Sequence, residues 1–291
     1  GMGGHSSGNV ASAIVMSEVF SYLKMREAML EDGILDIPMT LRDATGFANQ
    51  RVSEHAMENR ETFGMGATLL APVIAKAKLY WVSVGDSPLF LFRAGILRQL
   101  NKDHSMAPQI DMMVKTGAMT AEAGRHHPER NTLTSAITGE NIDKIDCPTR
   151  PIALLPNDIV VASSDGLQFL SNERIARTLK LVQRRRSVDI ANALIAAIYR
   201  LDDPDQDNTA FVVIKLGTRL GYSTALDAEN LSVVATTQDG TLSTEQNEPS
   251  AKRVLRRVTL RPPDPQKAQE ANAREQGPEA PGQPKKDRQE Y

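Results

Sequence analysis

The sequence predicts an α+β fold, in which helices and antiparallel strands come in groups. Two helical patterns open the chain, a series of short strands joined by tight turns follows, and two more helical segments precede a last strand. A parallel Rossmann sheet would instead alternate strand and helix along the chain. The 291 residues, 41% of them hydrophobic, are enough to bury a substantial core.

Two amphipathic helices are expected near the N-terminus. Val15, Val19 and Leu23 recur every four residues, a spacing typical of one buried helical face. Asp32-Gly33 is a stop signal for this first helix. The second apolar pattern covers residues 41–56.

The middle of the chain is predicted to form three β hairpins, because apolar runs flank short turn-forming segments. The paired runs are 68–75 with 79–84, 89–93 with 96–100, and 151–155 with 159–163. Two helices are then expected at 172–182 and 187–200, the second capped by Ser187. Residues 209–216 form the last predicted strand.

Composition divides the chain near residue 217. Residues 261–291 contain six prolines and no Val, Ile, Leu, Met, Phe or Trp. Such a segment cannot bury enough apolar surface to offset the entropy lost on ordering. We therefore expect residues 1–217 to form the folded domain and residues 218–291 to be a largely disordered tail.

Charge and composition exclude several classes of protein. A net charge of −2 argues against a general nucleic-acid binder, which needs a basic surface. No apolar stretch approaches the roughly 20 residues of a membrane span, and no signal-peptide pattern is present, so a cytoplasmic protein is expected. Cys147 is the one cysteine, which excludes an intrachain disulfide and favours a structural role.

Three aspartates stand next to turns at the ends of predicted strands: Asp86, Asp165 and Asp207. A carboxylate at the end of a buried strand is costly unless it is paired, used as a cap or bound to a metal. If these three converge, they form a hard-oxygen site suited to Mg²⁺ or Mn²⁺. Taken singly, each is better explained as an ordinary turn or capping aspartate, because aspartate is a favoured turn residue.

Short motifs follow one another along residues 1–217: Gly1-Met2-Gly3-Gly4-His5, Gly66-Ala67-Thr68-Leu69, Gly85-Asp86-Ser87, Lys102-Asp103-His104-Ser105, His127-Pro128, Asn131-Thr132-Leu133-Thr134, Ser164-Asp165-Gly166-Leu167 and Asp207-Asn208-Thr209. In this order they resemble the bacterial branch of the metal-dependent Ser/Thr protein phosphatases, the protein phosphatase 2C type. The glycine-rich start lacks the lysine of a P-loop, so nucleotide binding is not supported.

The resemblance implies a central antiparallel β-sandwich flanked by antiparallel helix pairs, a four-layer α-β-β-α arrangement. It implies hydrolysis of phosphoserine and phosphothreonine in proteins by a water bound to two Mn²⁺ or Mg²⁺ ions, with a third, weaker ion in bacterial members. Phosphorylated proteins are the implied partners, together with a cognate Ser/Thr kinase in signal transduction.

By position, the resemblance assigns Asp165 and Asp207 to one core ion, joined by the carbonyl oxygen of Gly1. Asp86 and Asp165 would hold the third ion. His5 would act near the metal-bound waters as a catalytic residue, although a polar residue at a helix start is an equally valid reading. Residues 106–125 match a flap beside the site. The methionines of this flap suit either a peptide-binding surface or core packing.

Several departures from the family pattern leave alternatives open. In the family, an aspartate that bridges both core ions precedes the glycine matching Gly1, and a strand pair with a phosphate-binding arginine lies upstream. The chain therefore resembles an N-terminally truncated member, and we expect it as given to be a weak or inactive phosphatase. Pro88 and Ser135 replace two further arginines. A catalytically inactive phosphoprotein-binding or regulatory module is the alternative, and a chance resemblance on an unrelated scaffold is a third.

Overall fold

The computed structural model describes residues 1–2, 4–201, 208–217, 231–236 and 242–244. These residues lie within a compact unit that runs from Gly1 to Pro249; a second unit, Ser250–Tyr291, lies outside the described residues.

Helices and strands follow the predicted order. The helices are α1 (Gly4–Lys24), α2 (Glu27–Glu31), α3 (Ile37–Glu58), α4 (Ala107–Lys115), α5 (Ala121–Arg125), α6 (Asn172–Val182) and α7 (Ser187–Tyr199), with short 3-10 helices at Arg60–Thr62 and Asp165–Phe169. The strands are β1 (Leu69–Ala75), β2 (Lys78–Val84), β3 (Leu89–Arg93), β4 (Ile96–Gln99), β5 (Ile152–Ala153), β6 (Ile159–Ser163), β7 (Thr209–Lys215), β8 (Leu231–Thr236) and β9 (Leu242–Thr244).

The strands form two antiparallel sheets. One has the order β1-β2-β5 and the other the order β4-β3-β6-β7-β8-β9. Strands β8 and β9 follow residue 217, so the sheet continues past the predicted end of the domain. The boundary at 217 and the nature of the tail stay predictions, because most of residues 218–291 lie outside the described residues.

Side-chain alternation along the strands produces the four layers. In β6, Ile159 and Val161 pack with the α6–α7 helix pair, whereas Val160 packs between the two sheets. In β2, Val82 faces the α1–α3 pair and Trp81 faces the sheet interface. Successive strand residues point to opposite faces, so each strand contributes to two cores. The predicted α+β sandwich of four layers is confirmed.

The first helix ends earlier than the predicted stop at Asp32-Gly33. Helix α1 ends at Lys24 and the short helix α2 follows, with Gly33 in the left-handed region at φ +75°. Helix α3 begins after Asp36, whose carboxylate accepts from the backbone N–H of Met39 at 2.8 Å. The α1–α3 pair packs on β2 as expected.

Two local predictions were wrong. Ser187 was expected to cap α7, but the N-cap is Arg186, whose backbone N–H donates to the carboxylate of Asp189 at 3.3 Å. Ser187 is instead the first helical residue and is buried.

The third predicted hairpin is also wrong. Strand β5 pairs with β2, whereas β6 pairs with β3 and β7 in the other sheet. The connection is fixed by Asp158, a buried carboxylate that accepts from Leu155 N at 2.7 Å and pairs with Arg93 at 2.6 Å. Arg93 also donates to the carbonyl of Ala153 at 2.8 Å, which ties the two sheets together.

None of the helices in the described ranges combines the length and apolar character needed to cross a bilayer. Cys147 is buried, and its Sγ lies 3.4 Å from the carbonyl oxygen of Pro38, which fits the structural role expected for it.

Candidate metal centre

Asp86 lies in the loop between β2 and β3, and the shape of that loop depends on Gly85. Gly85 has a φ of +103°, and a Cβ there would lie 2.5 Å from Cγ2 of Thr68. A side chain at this position would therefore be strained twice, by its backbone conformation and by the contact. Beside it, the hydroxyls of Ser87 and Thr68 lie 3.2 Å apart in a hydrogen bond that joins the loop to the start of β1.

The segment after β4 is hydrogen-bonded to this loop and to the strands on either side of it. The side chain of Asn101 contacts Ser83, Ser87 and Leu89, and the imidazole Nδ1 of His104 accepts from the backbone N–H of Gly85 at 3.3 Å. Sequence reasoning assigned no role to Asn101 and gave His104 only as part of a motif. The sequence shows that each is a polar residue shortly after a predicted strand, but it does not show that the side chain is buried.

Asp165 follows β6 and begins a 3-10 helix. Its neighbour Gly166 packs so closely against the start of β7 that a Cβ there would lie 2.4 Å from Thr209 Oγ1 and 2.6 Å from the carbonyl oxygen of Asn208. Ser164 adds a hydrogen bond from its backbone N–H to the carbonyl of Ala210 at 2.8 Å. Asp165 is therefore next to the strand that directly follows Asp207 in the chain.

Asp86 and Asp165 share one electrostatic environment. Burial raises the pKa of Asp86 to about 6, and the negative charge of Asp165 contributes in the same direction, followed by Asp103. A backbone hydrogen bond and the positive N-terminus at Gly1 lower it. The side-chain amide of Gln168 donates to the carbonyl of Asp86 at 3.3 Å, which joins the two loops directly.

The N-terminal segment reaches the same end of the sandwich. Met2 and Gly66 exchange two backbone hydrogen bonds, at 2.7 and 3.1 Å. The backbones of Gly1 and Gly8 are in close contact, since a Cβ on Gly1 would lie 1.9 Å from the carbonyl oxygen of Gly8. Glycine is required at position 1 because any side chain would collide with α1.

Three of the predicted site residues thus come together: Gly1, Asp86 and Asp165. Asp207 lies outside the described residues, and His5 lies in the first turn of α1 with a side chain outside them. The part of the chain that the structure describes holds no group of three or more His, Cys, Asp or Glu side chains able to hold a metal ion.

The two described carboxylates nevertheless fit a hard cation. They are oxygen donors that Mg²⁺ and Mn²⁺ prefer. Burial first and the charge of Asp165 second raise the pKa of Asp86, and a cation at this place would favour the charged form of both carboxylates. Their assignment as ligands stays a prediction.

Residues 106–125, which the resemblance matches to a flap, contain α4 and α5. Arg130 braces this segment, with an ion pair to Asp111 at 2.8 Å and a hydrogen bond to the carbonyl of Gly124 at 3.4 Å. Met112 and Met113 are 59% and 48% exposed, so core packing does not account for them. Ile110 is the buried residue of α4.

Comparison with known proteins identifies the family. No family model matches the chain. A putative protein phosphatase 2C-type of Streptococcus pyogenes is 31% identical over 182 residues, which are 62% of this chain and 70% of the relative.

Solved structures agree with this match. The crystal structure of the Mycobacterium tuberculosis serine/threonine phosphatase PstP/Ppp superposes with a TM-score of 0.61 at 30% identity, covering 74% of this chain and 85% of that one. A PstP catalytic domain in complex with two manganese ions superposes with a TM-score of 0.56 at 28% identity over 74% and 84% of the two chains. With motif order, four-layer sandwich and sequence similarity in agreement, the chain belongs to the protein phosphatase 2C type of metal-dependent serine/threonine phosphatases.

Proposed function

We propose that the chain hydrolyses phosphoserine and phosphothreonine in proteins, with Mn²⁺ or Mg²⁺ held by Asp86, Asp165, Asp207 and the carbonyl oxygen of Gly1. The observation that carries this proposal is the hydrogen bond from Gln168, in the 3-10 helix that begins at Asp165, to the carbonyl of Asp86 at 3.3 Å, because it joins two aspartate loops that are far apart in the sequence. Two carboxylates in a shared site repel each other unless a cation lies with them. The manganese-bound PstP neighbour supports the choice of metal.

The roles of the residues follow from their positions. When bound there, Mn²⁺ or Mg²⁺ lowers the pKa of a coordinated water and neutralises charge on the phosphoryl oxygens. Asp86 and Asp165 contribute anchored carboxylates on loops that close packing holds in place. His5, in the first turn of α1, is proposed to move a proton beside them. The exposed Met112 and Met113 of the flap offer an adaptable apolar surface to a peptide substrate.

The cellular setting proposed for the chain follows from this chemistry. A protein phosphatase reverses the product of a protein kinase, so the proposed partners are phosphorylated proteins and a cognate Ser/Thr kinase in a signalling pathway. A cytoplasmic location is proposed with them, since phosphoproteins and their kinases meet there.

The direct test is phosphate release from a phosphothreonine peptide by wild type and by Asp165→Asn, each with Mn²⁺ and with EDTA. We expect weak but Mn²⁺-dependent release that the substitution lowers by at least about 100-fold, the scale on which losing one electrostatic group slows an enzyme. Asp143→Asn is the matched control, because Asp143 is an exposed loop aspartate bonded to Asn141 at 3.2 Å. Phosphate release that EDTA does not lower, or that is equal in wild type and Asp165→Asn, contradicts the proposal. Phosphopeptide binding without Mn²⁺-dependent release would indicate a binding module.

A further inference from the structure

A buried amide links the loop that presents Asp86 to the strands on either side of it. The side chain of Asn101 is 6% exposed, and its Oδ1 accepts from the backbone N–H of Leu89 at 2.8 Å. Its Nδ2 donates to the carbonyl of Ser87 at 2.9 Å and to Oγ of Ser83 at 3.2 Å. One side chain thus bonds the end of β2, the loop itself and the start of β3.

The segment that carries Asn101 is itself anchored. The backbone N–H of Lys102 donates to Oδ2 of Asp146 at 3.1 Å, and the same carboxylate oxygen accepts from the indole of Trp81 at 2.9 Å in the core. Asp146 also exchanges two backbone hydrogen bonds with Ser83, at 2.8 and 2.9 Å. The amide of Asn101 is therefore held on rigid elements rather than on a free loop.

A restraint is needed at this place because of the charges. Gln168, in the 3-10 helix that begins at Asp165, donates to the carbonyl of Asp86 at 3.3 Å, so the two aspartates lie on joined loops, and Asp103 adds a third negative charge. Without a cation, repulsion favours movement of the loop away from Asp165. The three hydrogen bonds of Asn101 oppose that movement, and breaking them would leave buried polar groups unpaired, which costs more than the bonds themselves are worth.

We propose that Asn101 is a positioning residue that holds Asp86 against Asp165 and thereby sets the affinity of the metal site that the two aspartates share. The inference rests on the proposed function, since it takes Asp86 as a metal ligand. Groups that orient metal ligands without touching the metal typically change metal affinity by about 10- to 100-fold.

The test is a Mn²⁺ titration of the full chain, with free Mn²⁺ followed by electron paramagnetic resonance. Asp86→Asn identifies the Mn²⁺ site to which Asp86 contributes. Asn101→Leu, which keeps the branched shape of the side chain and loses all three hydrogen bonds, should raise the Kd of that same site by about tenfold or more. Asn101→Ala repeats the loss without the bulk of leucine and should have the same effect.

A control separates positioning from simple destabilisation. Asp158→Asn removes the charge opposite Arg93 at the other end of β3, far along the strand from the Asp86 loop. It should lower the Tm while leaving the Mn²⁺ Kd of the folded protein within twofold of wild type. The Mn²⁺ concentration that half-activates p-nitrophenyl phosphate hydrolysis should rise in the Asn101 variants and not in Asp158→Asn.

The outcomes are distinguishable. If Asp86→Asn binds Mn²⁺ like wild type, the ligand assignment fails and the inference falls with it. If Asp86→Asn loses a site but both Asn101 variants, folded at the assay temperature, keep its Kd within twofold, the positioning role is refuted while the proposed function stands.

Discussion

His104 is a buried histidine whose neutral form the structure requires. It is 3% exposed, and its Nδ1 accepts from the backbone N–H of Gly85, so the proton must be on Nε2. Burial is the main cause that lowers the pKa of His104. The negative charge of Asp146 raises this pKa and the positive charge of Lys144 lowers it, each less strongly than burial does. In a protonated ring, Nδ1 could no longer accept from Gly85, and the ring would place a positive charge in the interior of the domain.

The pH dependence follows from that lowered pKa. The unfolded chain takes up the proton as pH falls through the usual histidine value of about 6.5, whereas the folded chain resists it. His104 therefore costs the domain stability as pH falls below that value, until the lowered pKa of the folded state is reached.

We expect His104→Asn to remove this loss, because the asparagine oxygen can accept from Gly85 and does not titrate. The measurement is the free energy of unfolding by urea at several pH values between 7 and 5, and the difference between the two proteins should shrink as pH falls. Asp86, with a pKa of about 6, has the opposite dependence but is present in both proteins, so its contribution cancels. Parallel curves would contradict the lowered pKa.

Among the elements, the β1–β2 hairpin has a turn that its sequence does not favour. Lys76 and Ala77 have φ values of +50° and +57°, the left-handed region in which non-glycine residues are strained. The next hairpin has Gly95 at its second turn position, with a φ of +84°. Two-residue turns of this kind prefer Asn-Gly.

Replacing Lys76-Ala77 by Asn-Gly should therefore stabilise the domain by about 1 kcal/mol, measured as an increase in the urea midpoint at unchanged m-value. Gly95→Ala is the reverse control, because it removes a glycine from a turn position with a φ of +84°, and it should lower the urea midpoint. An unchanged or lower midpoint for the Asn-Gly variant would show that the strain at Lys76 and Ala77 is offset by contacts of their side chains.

For the whole molecule, the boundary of the folded unit can be located by deletion. Residues 261–291 contain no large aliphatic residue, so removing them should leave the Tm and the Mn²⁺-dependent rate nearly unchanged. Removing residues 231–291 should instead lower the Tm, because β8 pairs with β7 from Thr209↔Thr236 to Ile214↔Leu231 and its loss exposes an edge. A large loss of stability from the shorter deletion would show that residues 261–291 pack on the domain.

The sequence by itself determined which segments form helices and which neighbouring strands form the first two hairpins. Apolar spacing identified α3, α6 and α7, and the alternation of apolar runs with turn residues identified the first two hairpins. These features depend on contacts between residues close in the chain, which periodicity records directly. The positions of Asp86 and Asp165 at strand ends could be read in the same way.

Pairing between distant segments was decided by the tertiary structure alone. Residues 151–155 and 159–163 have the pattern of a hairpin, yet β5 and β6 lie in different sheets, and the buried Asp158 between them pairs with the partly exposed Arg93 of β3. The roles of Asn101 and His104 likewise depend on backbone groups that only the folded chain places beside them. Periodicity records which side chains are apolar, whereas partners for a buried polar group are chosen by packing over long sequence distances.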